Sequence, residues 1–557
     1  MASRRRRLPT RRLGAALAVL AGMLALAACG GGSDGSESGD GTSVAPAGVE
    51  FVTSTPAGTG PVDSISWNLP YGEPFTLDWL QSASYSENTV LANLCESVLR
   101  LGNDFSYEPG LAESFESPNP TTWVYDLRPG LKFSDGKPVT TADVIFSMER
   151  SADGSLGSFW EPWFENVKSI TATGPNQITV KLTKPDALFN QFLATAAGVV
   201  AEKAFVEAAG KSYGTSEGGV MCVGPYKLDE WTPGKGITIS ANPEYWGDAP
   251  AVGKIDYKFV TNGGTATDAL SSGEIDGSYE APLGSWDNLV SSGAGNAYIG
   301  RSTAYSSIDF TEKEGPLEDV NLRQALRYVV DRDAIAETIF KGTAEAVRSQ
   351  FYPSTWGYAE DVYKQGYEAL PEATADLAKA EEFVAKVDDL RPLTLLSNAD
   401  DTAAKQLAVY LQSEAQKVGI EIEIKELPAP QFIAAAFDRK RLAEYDISLS
   451  TTGYIDLAEP VVWGYLVLSA DGVFNSAGYD NPQVTKWVGE ARETEDPTKR
   501  AELMVKVQKQ AYDVDVASIP LVNMGERLFM GSSISGAIPS LTPQLYSPWA
   551  LELGAAE

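Results

Sequence analysis

The sequence predicts an α/β protein of more than one lobe, on three observations. Strand-like and helical stretches alternate: 393–397 alternates as a strand, 403–418 has helical spacing, 420–426 is again strand-like and 431–437 helical. Apolar residues make up 43% of the chain, which fits a globular body. A length of 557 residues is enough for two or more lobes around a sizeable core.

Residues 1–28 read as a signal peptide. Arg4, Arg5, Arg6, Arg7, Arg11 and Arg12 form a basic start. The apolar run from Leu13 to Ala28 has 16 residues, short of the roughly 20 that a spanning helix needs. Leu26-Ala27-Ala28-Cys29 fits a bacterial lipobox, in which small residues precede a cysteine that is acylated and becomes the new N-terminus. An ordinary signal cut elsewhere would instead leave Cys29 incidental. One acyl chain holds a membrane only reversibly, so stable anchoring through Cys29 takes several. Residues 29–49 form a Gly/Ser/Asp-rich flexible linker, which as a coil spans roughly 25 Å.

Charge excludes some functions. Six of the 44 basic side chains lie in the leader, so the rest of the chain carries 38 basic and 75 acidic groups, a net of −37. A body of that sign repels nucleic acid and anionic lipid. There is no histidine. That removes Ser-His-Asp and Cys-His hydrolases, histidine-built zinc sites and histidine general bases. It also disfavours nickel bound directly by protein, since imidazole is the usual nitrogen ligand. Carboxylate-only catalysis survives this exclusion.

The body then runs in order. Residues 50–68 alternate and read as an entering strand, and 75–79 opens a loop. Residues 86–101 have helical spacing through Val90, Leu91, Leu94, Val98 and Leu99. Residues 122–128 alternate as a strand, Pro129-Gly130 turns the chain, and Thr140 or Thr141 caps a helix over 142–150. Arg323 and Asp331 lie eight apart and read either as solvated charges or as a structural ion pair.

The stretches PGLAESFE (109–116) and WVYDLRPGLKFSDGKPVTTADVIFSMER (123–150) together resemble the signature of the family 5 extracellular solute-binding proteins. The resemblance continues through Gly224-Pro225-Tyr226, Asn242-Pro243-Glu244-Tyr245-Trp246, Ser272-Gly273-Glu274-Ile275-Asp276, the helix around Asp319 to Leu326, and Gly478-Tyr479-Asp480-Asn481-Pro482. It covers about 50–540. The family implies a periplasmic-binding-protein-like type II fold, α/β, with lobes around a ligand cleft and an extra inserted lobe. Mapped on this chain, lobe I is 50–92 plus 224–301 plus 516–557, lobe II is 93–223 and lobe III is 302–515. The implied role is a membrane-tethered receptor on the extracytoplasmic side. It would deliver a peptide, or another small solute, to the permease subunits of an ABC importer. It would act as a monomer without cofactor or metal. A sugar, a metal chelate, a sensory role of the same fold and, outside the binding class, a carboxylate-dependent glycosidase stay open as alternatives.

The same mapping places Cys95 and Cys222 at the junctions of lobes I and II, an even pair in an oxidising compartment. They are expected either as a disulfide or as two buried thiols. In peptide-binding relatives an aspartate at the position of Asp456 takes the ligand's α-ammonium; a turn-capping role is the alternative. Tyr454 and Trp463 flank that loop, Trp67, Tyr71 and Tyr85 lie on the lobe I side, and Tyr305 opens lobe III, all as aromatic walls or as core. Arg301, Arg348 and Arg439 are the candidates for a ligand carboxylate.

Overall fold

Two long strands carry the architecture, Gly295–Phe310 and Ser518–Gly531. They pair antiparallel from Gly295 opposite Gly531 to Asp309 opposite Ser518. The computed structural model describes residues 51–82, 84–455, 457–540 and 546–557. The leader, Cys29, the linker and Asp456 lie outside these residues. Everything described belongs to the unit Gly48–Glu557.

The long pair sits in the middle of an eleven-stranded sheet. On one side, Gly295–Phe310 pairs antiparallel with Ile447–Tyr454, which pairs parallel with Leu393–Asn398, itself parallel to Ile422–Leu427. On the other side, Ser518–Gly531 pairs with Gly277–Ser278, and the sheet continues through Ile65–Asn68, Lys254–Lys258, Gly236–Ala241 and Tyr226–Thr232. The two sides use different ends of the long pair. Residues 295–300 face the second side and 304–310 the first, and between Gly300 and Ala304 the register slips. Three residues there oppose Gly525 alone, a wide bulge that bends the ladder. Gly525 is needed at that pinch, because a Cβ would lie 2.2 Å from Ile299 Cγ2 and 3.0 Å from the Thr343 carbonyl.

Local chemistry sets the elements. Asp401 caps the helix Thr402–Lys417 by accepting from the Ala403 and Ala404 amides, and Ala404, Leu407, Ala408, Leu411 and Ala415 form its buried face. Thr140 and Asp143 form a capping box at the helix Thr141–Ser151. Arg323 and Asp331 do not pair with each other. Arg323 donates to the Leu317 and Asp515 carbonyls, and Asp331 caps the helix Arg332–Thr338. Among the described residues no helix is long and apolar enough to cross a membrane.

Two expected elements are shorter than their periodicity. The entering strand is only Ile65–Asn68; Val52 and Val62 make isolated bridges, because Pro56, Gly58, Gly60 and Pro61 interrupt any ladder between them. The helix expected over 86–101 is Tyr85–Leu94, followed by the strand Leu99–Leu101. It ends where Cys95 turns extended and bonds Cys222, with S–S 2.12 Å across a separation of 127 residues. The Glu96 amide then donates to the Val223 carbonyl, 2.5 Å. The segment between the two cysteines holds its own antiparallel sheet, in the order Ala112–Asn119, Thr122–Leu127, Gln177–Leu182, Val167–Gly174.

Two outcomes follow from this framework. Cys95→Ser/Cys222→Ser should lower stability by about 2–4 kcal/mol, because the unfolded chain loses a long loop constraint; an unchanged urea midpoint would contradict it. Gly453→Ala should cost about 1–3 kcal/mol by overpacking. The new Cβ would lie 2.3 Å from Tyr305 Cζ, and that ring is held edge-on by Trp463. Wild-type stability by the same measurement would show that the ring yields.

Candidate functional site

The strand Ile447–Tyr454 ends beside the bulge of the long pair, and a tightly held loop begins there. Tyr305 lies opposite Gly453 in the ladder, and Trp463 meets its ring edge-on, 4.9 Å between centroids at 84°. Trp463 Nε1 donates to the Tyr512 hydroxyl, 2.6 Å. Both rings are largely buried, so they form the floor beneath the loop. Tyr454, partly exposed, stands at the strand end.

The loop is fixed on both sides of position 456. Before it, the Ile455 amide donates to the Thr303 carbonyl, 3.1 Å, and Thr303 Oγ1 donates to the Ile455 carbonyl, 2.6 Å. After it, the fully buried Glu459 accepts from the Tyr358 hydroxyl at 2.6 Å, Gln191 Nε2 at 3.2 Å and the Val461 amide at 3.1 Å. Arg500 Nε lies 3.4 Å from its carboxylate. Glu459 therefore has the charge and the hydrogen bonds that a buried carboxylate needs.

A second wall comes from the other side of the sheet. Tyr71 and Tyr85 stack, 5.3 Å between centroids at 18°. Tyr71 is 51% exposed, yet burial among surrounding protein raises its phenol pKa well above the usual value, with Glu280 next and Glu526 and Asp401 adding to it. The stacked pair is open to solvent on the Tyr71 side. Asp401, the N-cap of the helix Thr402–Lys417, adds a little to that rise at Tyr71, and its Oδ2 accepts from Thr451 Oγ1. Behind the tyrosines, Glu280 pairs with Arg527, Arg527 Nε donates to the Ala281 carbonyl at 2.9 Å, and the Glu280 amide donates to Glu526 Oε1 at 2.6 Å.

Several expected positions move. Trp67 belongs to the core: it is 0% exposed and its ring packs on Trp549 at 4.3 Å and Tyr279 at 5.3 Å, leaving no face for a ligand. Arg348 pairs with Glu372 beside Tyr367, and Arg439 pairs with Glu312, both with exposed partners away from these walls. Arg301 lies over the Phe105 ring at 4.7 Å and donates to the Asp104 and Pro353 carbonyls. Its guanidinium is already occupied. Asp456 is outside the described residues. Glu280, Glu526, Arg527 and Asp401 went unnoticed in the sequence. The signal that could have found two of them is Glu526-Arg527, two adjacent charges, the only ones in the largely apolar stretch Ser518–Gly531.

Comparison with known proteins extends these observations. A family model, bacterial extracellular solute-binding proteins, family 5 middle, matches residues 106–472. The oligopeptide-binding protein OppA of Bacillus subtilis is 24% identical over 502 residues, covering 85% of this chain and 90% of OppA. The oligopeptide-binding protein AppA of Bacillus subtilis, solved in complex with a nonapeptide, superposes with TM-score 0.73 at 18% identity, over 89% of this chain and 100% of AppA. The binding protein AgaA of A. tumefaciens R10, solved with agropinic acid, gives TM-score 0.73 at 22% identity, over 89% of this chain and 99% of AgaA. The fold is thus the lobed α/β fold of type II periplasmic binding proteins, and the chain belongs to the family 5 bacterial extracellular solute-binding proteins.

Proposed function

We propose that this protein is the peptide receptor of an ABC importer, tethered to the outer face of the cell membrane by lipid on Cys29. It captures a di- or oligopeptide between lobe I and lobe III, closes on it, and hands it to the permease subunits. The observation that carries the reading is the end-to-end likeness to a protein named for oligopeptide binding. In this reading the bulge at residues 301–303 is the hinge, and the strands that cross it join the lobes. Asp456 takes the peptide's α-ammonium. A carboxylate on a loop pinned by Thr303 and Glu459 loses little freedom on binding, which favours affinity. Tyr454 contributes the edge of the site, and Tyr305 and Trp463 support it from below. The cation for the ligand's carboxylate is unassigned. The role is binding and delivery, with no catalysis.

A non-peptide solute is the second reading, favoured by the likeness to AgaA, solved with agropinic acid. A metal would then arrive already chelated, since among the described residues no group of three acids or cysteines is placed to hold one.

Asp456→Ala should weaken a peptide ligand by about 2–5 kcal/mol, because the ammonium would be buried without its counter-charge. Isothermal titration calorimetry with short peptides measures this. Unchanged affinity would place the ammonium elsewhere.

A further inference from the structure

We infer that the acidic cluster of Glu280 and Glu526, with the stacked Tyr71 and Tyr85, is a second cation subsite, taking the basic side chain of a ligand. The inference rests on the peptide-receptor reading and deepens it: the preferred substrates are peptides carrying arginine or lysine.

Charge at this wall does not close. Glu280 and Glu526 share one guanidinium, that of Arg527, which pairs with Glu280 and spends its Nε–H on the Ala281 carbonyl. Glu526 is 1% exposed. Its Oε1 is satisfied by the Glu280 amide, whereas Oε2 has no hydrogen-bond partner among the described residues. An orphaned oxygen in a nearly sealed carboxyl group is costly unless something supplies a donor. The single Tyr85 phenol O–H lies within reach of both acids and can serve only one of them at a time, and its own pKa is raised by burial and then by Glu280 and Glu526. Burial first, then Glu280, push the Glu526 carboxyl pKa well above the ordinary range, so a second negative charge beside Glu280 is disfavoured. An incoming guanidinium or ammonium would supply both the missing donor and the missing charge. The stacked Tyr71 and Tyr85 rings offer faces to the same cation. Asp401 adds negative potential at Tyr71.

The test is calorimetry on the mature chain with alanine tripeptides carrying arginine at the first, second or third position, and with the same tripeptides carrying neutral citrulline. At one position arginine should bind at least about tenfold tighter than citrulline, ~1.4 kcal/mol. Glu280→Gln and Glu526→Gln should each bring the ratio to near parity. Glu526→Gln keeps the Glu280–Arg527 pair, so it decides the matter if the other variant fails to fold. Equal binding of arginine and citrulline at every position, or a ratio that survives Glu526→Gln, overturns the inference alone. Binding of neither series overturns the peptide reading, and this inference with it.

Discussion

The side chain of Asn523 holds the place on which the architecture depends. Its Nδ2 donates to the Ser302 and Ala304 carbonyls, each at 2.8 Å, and its Oδ1 accepts from Ser354 Oγ at 2.8 Å. These bonds span the bulge where the two long strands lose register. Extra residues in a ladder leave backbone groups without partners, and a buried unpaired carbonyl is costly. Asn523, 1% exposed, supplies the missing donors and lets the strands bend without exposing their backbone. The Tyr352 hydroxyl does the same for the Thr303 carbonyl, 2.7 Å. Both elements of the candidate site hang from this bend: Ile455 is tied to Thr303, and Glu526 follows one residue after Gly525.

Much of the fold was legible in the sequence because it lies in local patterns. The βα alternation after residue 390 appears as Leu393–Asn398, Thr402–Lys417, Ile422–Leu427 and Ala429–Ala436. Landmarks such as PGLAESFE identify the family because turns, caps and apolar faces recur at fixed spacing. The long strands were not legible. Gly295–Phe310 is polar through much of its length, and its burial comes from partners more than 130 residues away. The helix that stops at Leu94 shows the same limit, since a disulfide to a cysteine 127 residues on overrides local spacing.

The candidate site was legible only in part. Tyr305 and Trp463 do meet, through a contact that no spacing reveals. Trp67 fell on the wrong side of the sheet surface, because an aromatic in a strand gives no sign of which layer covers it. The acid-rich wall escaped because Tyr71, Glu280 and Glu526 are scattered along the chain and converge only through sheet order. A protein of net charge −31 also hides two largely buried acids among many solvated ones. What separates Glu526 from these is burial with an unmet oxygen, a property of the fold alone.

The most direct test of the peptide-receptor account is mass spectrometry of what leaves the purified mature protein when it is denatured. A receptor that closes over its ligand carries some through purification. The account predicts a mixture of short peptides. A single non-peptide species would contradict it, keeping a solute receptor but removing the ammonium-binding role from Asp456.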